Sequence, residues 1–259
     1  MIDWNVTYAA IWRPRKQYLR PVLRIDPVHL DQLLGIETQK EALLANTERF
    51  LLGKPANHAL LWGARGTGKS SLIKALFNSY RENGLRLIEV DKQDLVCLPE
   101  IVDDIRELEQ RFIIYCDDLS FEAADNQYKS LKSVLEGSIE LPPENVLIYA
   151  TSNRRHLLPE FMRDNLDTRL VEGEVHYSDT VEEKTSLSDR FGMSLAFYSQ
   201  STQIYLDIID SLFVDIPVNR EILHQKALDF AYQRAAKNGR TAKQFYNGWA
   251  EQNINVTMR

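Results

Sequence analysis

The octapeptide Gly63-Ala64-Arg65-Gly66-Thr67-Gly68-Lys69-Ser70 constrains the fold of this chain more than any other stretch. An apolar run, Ala59-Leu60-Leu61-Trp62, leads into it, and Ser71-Leu72-Ile73-Lys74-Ala75-Leu76 leads out with helical periodicity. Strand, glycine-rich turn and helix in immediate succession are the phosphate-binding unit of P-loop folds. Glycine adopts positive φ without a side-chain clash, so successive backbone N–H groups can turn inward on one anion. The following helix adds the partial positive charge of its N-terminus. Residues Gly63, Ala64, Arg65, Gly66, Thr67, Gly68, Lys69, Ser70 and Ser71 are therefore the expected contacts to a nucleoside triphosphate. Lys69 is expected to bridge the outer phosphates, and the Ser70 hydroxyl to ligate magnesium.

The rest of the chain supplies the setting that such a loop needs. Helical spacing runs through 35–52, closed by Gly53 and Pro55. Apolar runs at 58–62, 85–90, 112–116 and 146–150 alternate with helical stretches at 69–80, 99–110 and 126–135. Strands that are apolar almost throughout, alternating with helices, indicate an α/β fold with a parallel sheet covered on both faces. After about residue 200 the strand signal stops. Helical patterns at 203–213, 219–236 and 241–249, with Asn219 as a cap, read as a small all-helical C-terminal domain. The expected division is an arm at 1–30, an α/β domain at 31–200 and the helical domain at 201–259.

The run Phe112-Ile113-Ile114-Tyr115-Cys116 ends in Asp117-Asp118. In a P-loop protein the first acid at such a strand tip holds magnesium, directly or through water, and the second polarises the attacking water. Asp117 is thus the expected metal ligand beside Ser70, and Asp118 the expected base.

At this point the chain resembles the AAA+ ATPases. Leu34-Gly35-Ile36-Glu37 is similar to the segment before their first helix, which puts Ile36 near the base. Val146-Leu147-Ile148-Tyr149-Ala150-Thr151-Ser152-Asn153 resembles the strand ending in the sensor-1 residue, here Asn153. Ser188-Asp189-Arg190-Phe191-Gly192 resembles the motif that carries the arginine finger, assigning that role to Arg190; Arg154 and Arg155 are the competing candidates. Asn238-Gly239-Arg240-Thr241-Ala242 resembles the lid motif with the second sensor, here Arg240. The match runs from about 33 to 245. Closer still, Asp117-Asp118-Leu119-Ser120-Phe121-Glu122 and Thr151-Ser152-Asn153-Arg154-Arg155-His156 resemble an uncharacterised bacterial group of predicted AAA+ ATPases, domain of unknown function 815.

The resemblance implies a five-stranded parallel sheet with a helical lid, ATP and magnesium as cofactors, and ATP hydrolysis. It also implies a homo-oligomer, ring or arc, in which an arginine finger acts on a neighbour's nucleotide. A protein client is expected; DNA stays open as a partner that no motif here supports. Most members carry Asp-Glu at the strand tip where this chain has Asp117-Asp118. Aspartate is one methylene shorter, so either hydrolysis is slow or Glu122 assists from the next turn. A slow-hydrolysing switch acting by recruitment is accordingly the alternative, and a small-molecule kinase sharing only the loop is a third.

Composition sets the outer limits. With 44% hydrophobic and 26% charged residues this is an ordinary globular chain, and a net charge of −6 argues against simple coating of nucleic acid. No apolar run has signal-peptide or membrane-spanning character, and Cys97 and Cys116 form no metal-ligand pattern, so a reducing cytoplasm is expected. One stretch departs from the average: Arg13, Arg15, Lys16, Arg20 and Arg24 occur with no acid between Asp3 and Asp26, interleaved with Trp4, Tyr8, Trp12 and Tyr18. This reads as an extended strap packing its aromatics on the domain, or as an arm for a polyanion or a neighbouring subunit.

Overall fold

The computed structural model describes residues 2–121, 127–137, 139–155, 157, 169–171, 174–176 and 188–257 of the 259. In chain order the elements are β1 (Ala9–Arg13), β2 (Tyr18–Pro21), α1 (Glu37–Leu51), β3 (Ala59–Gly63), α2 (Lys69–Tyr80), β4 (Leu85–Glu89), α3 (Leu98–Asp103) and β5 (Arg111–Cys116). They continue with α4 (Gln127–Glu136), β6 (Val146–Ser152), β7 (Arg169–Val171), β8 (Glu174–His176), β9 (Met193–Phe197), α5 (Thr202–Leu212), α6 (Arg220–Gln233) and α7 (Gly239–Thr257). One sheet has the order β2-β1-β4-β5-β6-β3-β9, and β7 and β8 form a separate antiparallel pair.

The apolar runs become strands because both of their faces are covered. Leu60, Ile114 and Ile148 enter one core, while Leu61, Ile113 and Tyr149 from the same strands enter the other. Each such fully buried leucine or isoleucine contributes roughly 1.5–3 kcal/mol. One buried polar cluster is matched within the sheet's core: the Tyr149 hydroxyl sits 2.8 Å from Thr47 Oγ1 and takes a bond from Asn46 Nδ2 at 3.0 Å, which fastens α1 to β6.

The sheet has seven strands where five were expected. The five parallel strands β4-β5-β6-β3-β9 are present, and the N-terminal arm adds two more. Strand β1 lies parallel to β4, and β2 folds back antiparallel on β1. The arm is therefore a β-hairpin rather than an extended strap, although its tryptophans do pack inward. Trp4 and Trp12 are buried, Trp4 edge-on to Phe112 with centroids 5.0 Å apart. The buried Arg86 guanidinium donates to the Trp4 carbonyl at 2.7 Å and holds the arm's start in place.

Helix α3 is shorter than the periodicity at 99–110 suggests. Beyond it, the Asn145 amide donates to the carbonyls of Ile105 at 2.8 Å, Leu108 at 3.0 Å and Gln110 at 3.4 Å. A side chain from the start of β6 thus satisfies carbonyls that a longer helix would satisfy itself.

Helices α5, α6 and α7 surround a third core containing Tyr205, Ile209, Phe213, Leu223 and Ala227. Ser201 caps α5 and Asn219 caps α6, each accepting from a backbone N–H two or three residues into the helix. Among the described residues no helix is long and apolar enough to cross a membrane.

Candidate functional site

Strands β5, β6 and β3 are adjacent and parallel, so the residues that end or follow them emerge together at the carboxyl edge of the sheet. Gly63, Asp117 and Asn153 are those residues. Ligand sites of open α/β sheets lie at this edge.

The loop at 63–70 is shaped by contacts that leave no room for side chains. Gly63 has φ 129°, and a Cβ there would meet the Phe197 carbonyl oxygen at 2.0 Å. The same oxygen accepts the Ala64 N–H at 2.9 Å, tying the loop to the end of β9. Gly66 has φ 76°, with the Asn238 side chain 2.5 Å from where its Cβ would stand. The Thr67 hydroxyl closes the turn on the Ala64 carbonyl at 2.8 Å. Ile36 is buried and packs beside the loop, its Cδ1 3.5 Å from the Cβ position of Gly68. Arg65 is exposed, and Ser71 lies in the first turn of α2.

The Lys69 ammonium donates to the carbonyls of Gly63 at 2.8 Å and Ala64 at 2.7 Å, with Asn153 Oδ1 at 3.4 Å. Burial lowers its pKa below the ordinary lysine range. The charges of Asp118 and Asp117 oppose that shift, and those of Arg240 and Arg65 reinforce it.

Beside the lysine is an oxygen cluster. Asp117 Oδ1 accepts from Ser70 Oγ at 2.8 Å and from Thr151 Oγ1 at 2.5 Å. Burial raises the Asp117 pKa, but these hydroxyl bonds outweigh it and hold the carboxyl below its usual range. Two hard oxygen ligands, one hydroxyl and one carboxylate, fit magnesium, which keeps waters and takes further oxygens from a phosphate. Among the described residues no group of three or more His, Cys, Asp or Glu side chains converges as a metal cage, so a metal here would rely on phosphate in that way.

Asp118 has a positive φ of 51°, and its N–H donates to Thr151 Oγ1 at 3.0 Å. Its carboxylate accepts from Asn153 Nδ2. Asn153 therefore touches Lys69 through its oxygen and Asp118 through its nitrogen.

Of the arginines, Arg240 is exposed at the start of α7, near enough for its charge to act on Lys69. Arg190 is directed elsewhere, paired with Glu136 at the end of α4. Arg155 lies over the Trp62 ring, 5.6 Å from its centroid, and Arg154 is exposed. Glu122 lies outside the described residues.

Thr151 and Asn238 bond to residues of the candidate site and were not singled out from the sequence for it. Thr151 ends an apolar run next to a strand tip, a signal like that of Asp117. Asn238 caps α7, accepting the Thr241 N–H at 3.0 Å, while its Nδ2 donates to the Arg65 carbonyl at 3.2 Å. Gly239 N–H adds a bond to the Gly66 carbonyl at 3.2 Å. The Asn-Gly-Arg-Thr sequence carries the capping signature, but a second partner in the loop at 63–70 has no sequence signal.

A family model described as "Protein of unknown function (DUF815)" matches residues 5–253. The chain belongs to the DUF815 family. This family member is also similar to the replication factor C large subunit of Ignicoccus hospitalis, 32% identical over 75 residues, which is 28% of this chain and only 15% of that protein. Two single-substitution variants of RuvB from Thermotoga maritima share its fold. Their TM-scores are 0.51 and 0.50 at 15% and 16% identity, covering 86% and 85% of this chain and 73% and 72% of theirs. At that identity the likeness concerns the fold alone.

Proposed function

We propose that this chain binds Mg-ATP in the loop at 63–71 and hydrolyses it as part of a homo-oligomer, in order to remodel or load a macromolecular partner. The observation that carries this reading is the Ser70–Asp117–Thr151 oxygen cluster standing beside the Lys69 ammonium. A merely structural glycine turn has no need of a buried lysine and an ionised carboxylate held by two hydroxyls.

In this reading the α/β domain at 31–200 supplies the phosphate site, with Ile36 against the base. The helical domain at 201–259 is a lid that presents Arg240 to the γ-phosphate. Lys69 exchanges the Gly63 and Ala64 carbonyls for phosphate oxygens, and the exchange favours phosphate because a charged acceptor makes the stronger bond. Ser70 and Asp117 hold magnesium, which when bound neutralises charge on the outer phosphates. Asp118 takes the proton of the attacking water on its second carboxylate oxygen, since Asn153 occupies only Oδ1, as the bond from the γ-phosphorus to the leaving ADP oxygen breaks. Asn153, set between Lys69 and Asp118, orients the water or the γ-phosphate. Arg190 leaves Glu136 to reach a neighbour's nucleotide, where its planar fork matches phosphate oxygens. Catalysis of this kind rests on positioning and electrostatics rather than on a covalent protein intermediate.

A slow-hydrolysing switch is the second reading, favoured by Asp118 itself. The shorter side chain and its bond to Asn153 both keep its carboxylate back from the water. Native mass spectrometry with and without ATP, beside a phosphate-release assay, tests both. A ring with turnover supports the motor and a ring without turnover the switch. A monomer that phosphorylates small molecules overturns both.

A further inference from the structure

The basic run of the arm takes no part in the site above, yet the hairpin carries it to the same edge of the sheet. Ile11 pairs with Glu89, the last residue of β4, and β1 continues for two more residues to Arg13. The turn at Pro14–Lys16 therefore projects past the carboxyl edge, from which Gly63, Asp117 and Asn153 also emerge.

The pairing register sorts the side chains. Trp12 stands opposite Leu19, and both pack on the core. Arg13 opposite Tyr18, and Ile11 opposite Arg20, share the other face. Residues directly opposite on one face are about 5 Å apart. Arg13, Arg15, Lys16 and Arg20 are exposed, and Tyr18 is 40% exposed in their midst. Among the described residues none of these four cations makes a side-chain hydrogen bond or ion pair. Blunting of an edge strand accounts for Arg20 and Pro21. It gives no reason for Arg15 and Lys16, which lie beyond the strand end; the Arg13 charge also acts on Asp94.

We propose that this hairpin tip binds single-stranded nucleic acid, its four cations pairing with backbone phosphates and the Tyr18 ring offering a stacking face to a base. Cations interleaved with an exposed aromatic are what a single strand requires, because every base has a π-face and every linkage a charge. With a net charge of −6 the chain as a whole has no surplus of cations, so such binding depends on a local cluster like this one. The proposal is independent of the nucleotide reading, since it can be measured without ATP.

The test is fluorescence anisotropy of a labelled oligothymidylate of about 20 nucleotides on the full chain, over about 50 to 200 mM salt. Arg15→Glu with Lys16→Glu should weaken binding at least about tenfold and lower the salt slope by about 1.4. Tyr18→Ala should weaken binding roughly tenfold with the slope unchanged. The charge-conserving Arg15→Lys should bind like the wild type and so controls for folding. No binding by the wild type, or equal binding by the double variant, overturns the proposal. So does equal binding of polyglutamate, or tighter binding of a duplex, with Tyr18→Ala without effect.

Discussion

The Ser70 hydroxyl donates to Asp117 Oδ1 at 2.8 Å, so the first turn of α2 and the tip of β5 share one pair of oxygens. If that pair holds magnesium, Asp117→Asn should spare the shape and remove the charge. ATP affinity measured calorimetrically without magnesium should stay within a few-fold of wild type. The gain on adding magnesium should fall roughly tenfold to a hundredfold, the size of a lost interaction with a charged group. An unchanged magnesium response would take Asp117 out of the metal site.

Asp118→Asn separates base from ligand. Turnover should drop by roughly a hundredfold to ten-thousandfold, the range of general-base catalysis, with nucleotide affinity nearly unchanged. Phosphate release at the wild-type rate would move the role of base to another residue.

The two bonds of the Asn238 side chain can be told apart by one substitution. Asn238→Asp keeps an oxygen to cap α7 but loses the donor to the Arg65 carbonyl. ATP affinity should fall about fivefold or more, consistent with about 1–3 kcal/mol for an unmet polar partner. The melting temperature should stay close to wild type. Asn238→Ala, which removes the cap as well, should lower both. Wild-type affinity in Asn238→Asp would make the residue a helix cap only.

Arg190→Ala should retain nucleotide binding and lose turnover, whereas Glu136→Gln, which weakens the ion pair within the chain, should leave turnover at or above wild type. Equal loss of binding and turnover in Arg190→Ala would assign the residue to the fold instead.

The sheet carries its own pH dependence. His58 Nδ1 accepts the Ile148 N–H at 2.9 Å, and burial lowers its pKa from 6.5 to about 4. The unfolded chain then binds more protons than the folded one between those values, so stability should decline as pH falls from about 6.5 to about 4 and be flat above. The full effect is of order 3 kcal/mol, at 1.36 kcal/mol per unit. In His58→Asn, which keeps an acceptor and does not titrate, thermal melting over this range should lose most of that slope.

The central strands were legible because burial on both faces leaves an unbroken apolar run, as in Phe112 to Cys116. The strand, glycine turn and helix around 63–70 were legible because glycine, lysine and serine at fixed spacing have few other uses. The hairpin was not. Ala9-Ala10-Ile11-Trp12-Arg13 is short, its alternation is weak, and Pro14 and Pro21 read as breaks, whereas here they bound the turn and end the edge strand. The end of α3 was hidden for a different reason: Asn145, some forty residues along the chain, takes the carbonyls that periodicity assigned to the helix. Within the site, Asp117 and Lys69 announced themselves by type, but the bonds that join Asn153 to both Lys69 and Asp118 exist only once β6 is in register with β3 and β5.

Strand β9 starts three residues after Arg190 and ends at Phe197, whose carbonyl both receives the Ala64 N–H and closes position 63 to any side chain. It is the end strand of the sheet, paired along one side with β3. If Arg190 grips the next subunit of an assembly, as proposed, a pull at that boundary would reach the loop at 63–70 through the Phe197 carbonyl. The loop would then be a gauge as well as a cradle, and the contact that demands glycine at 63 is the one with β9.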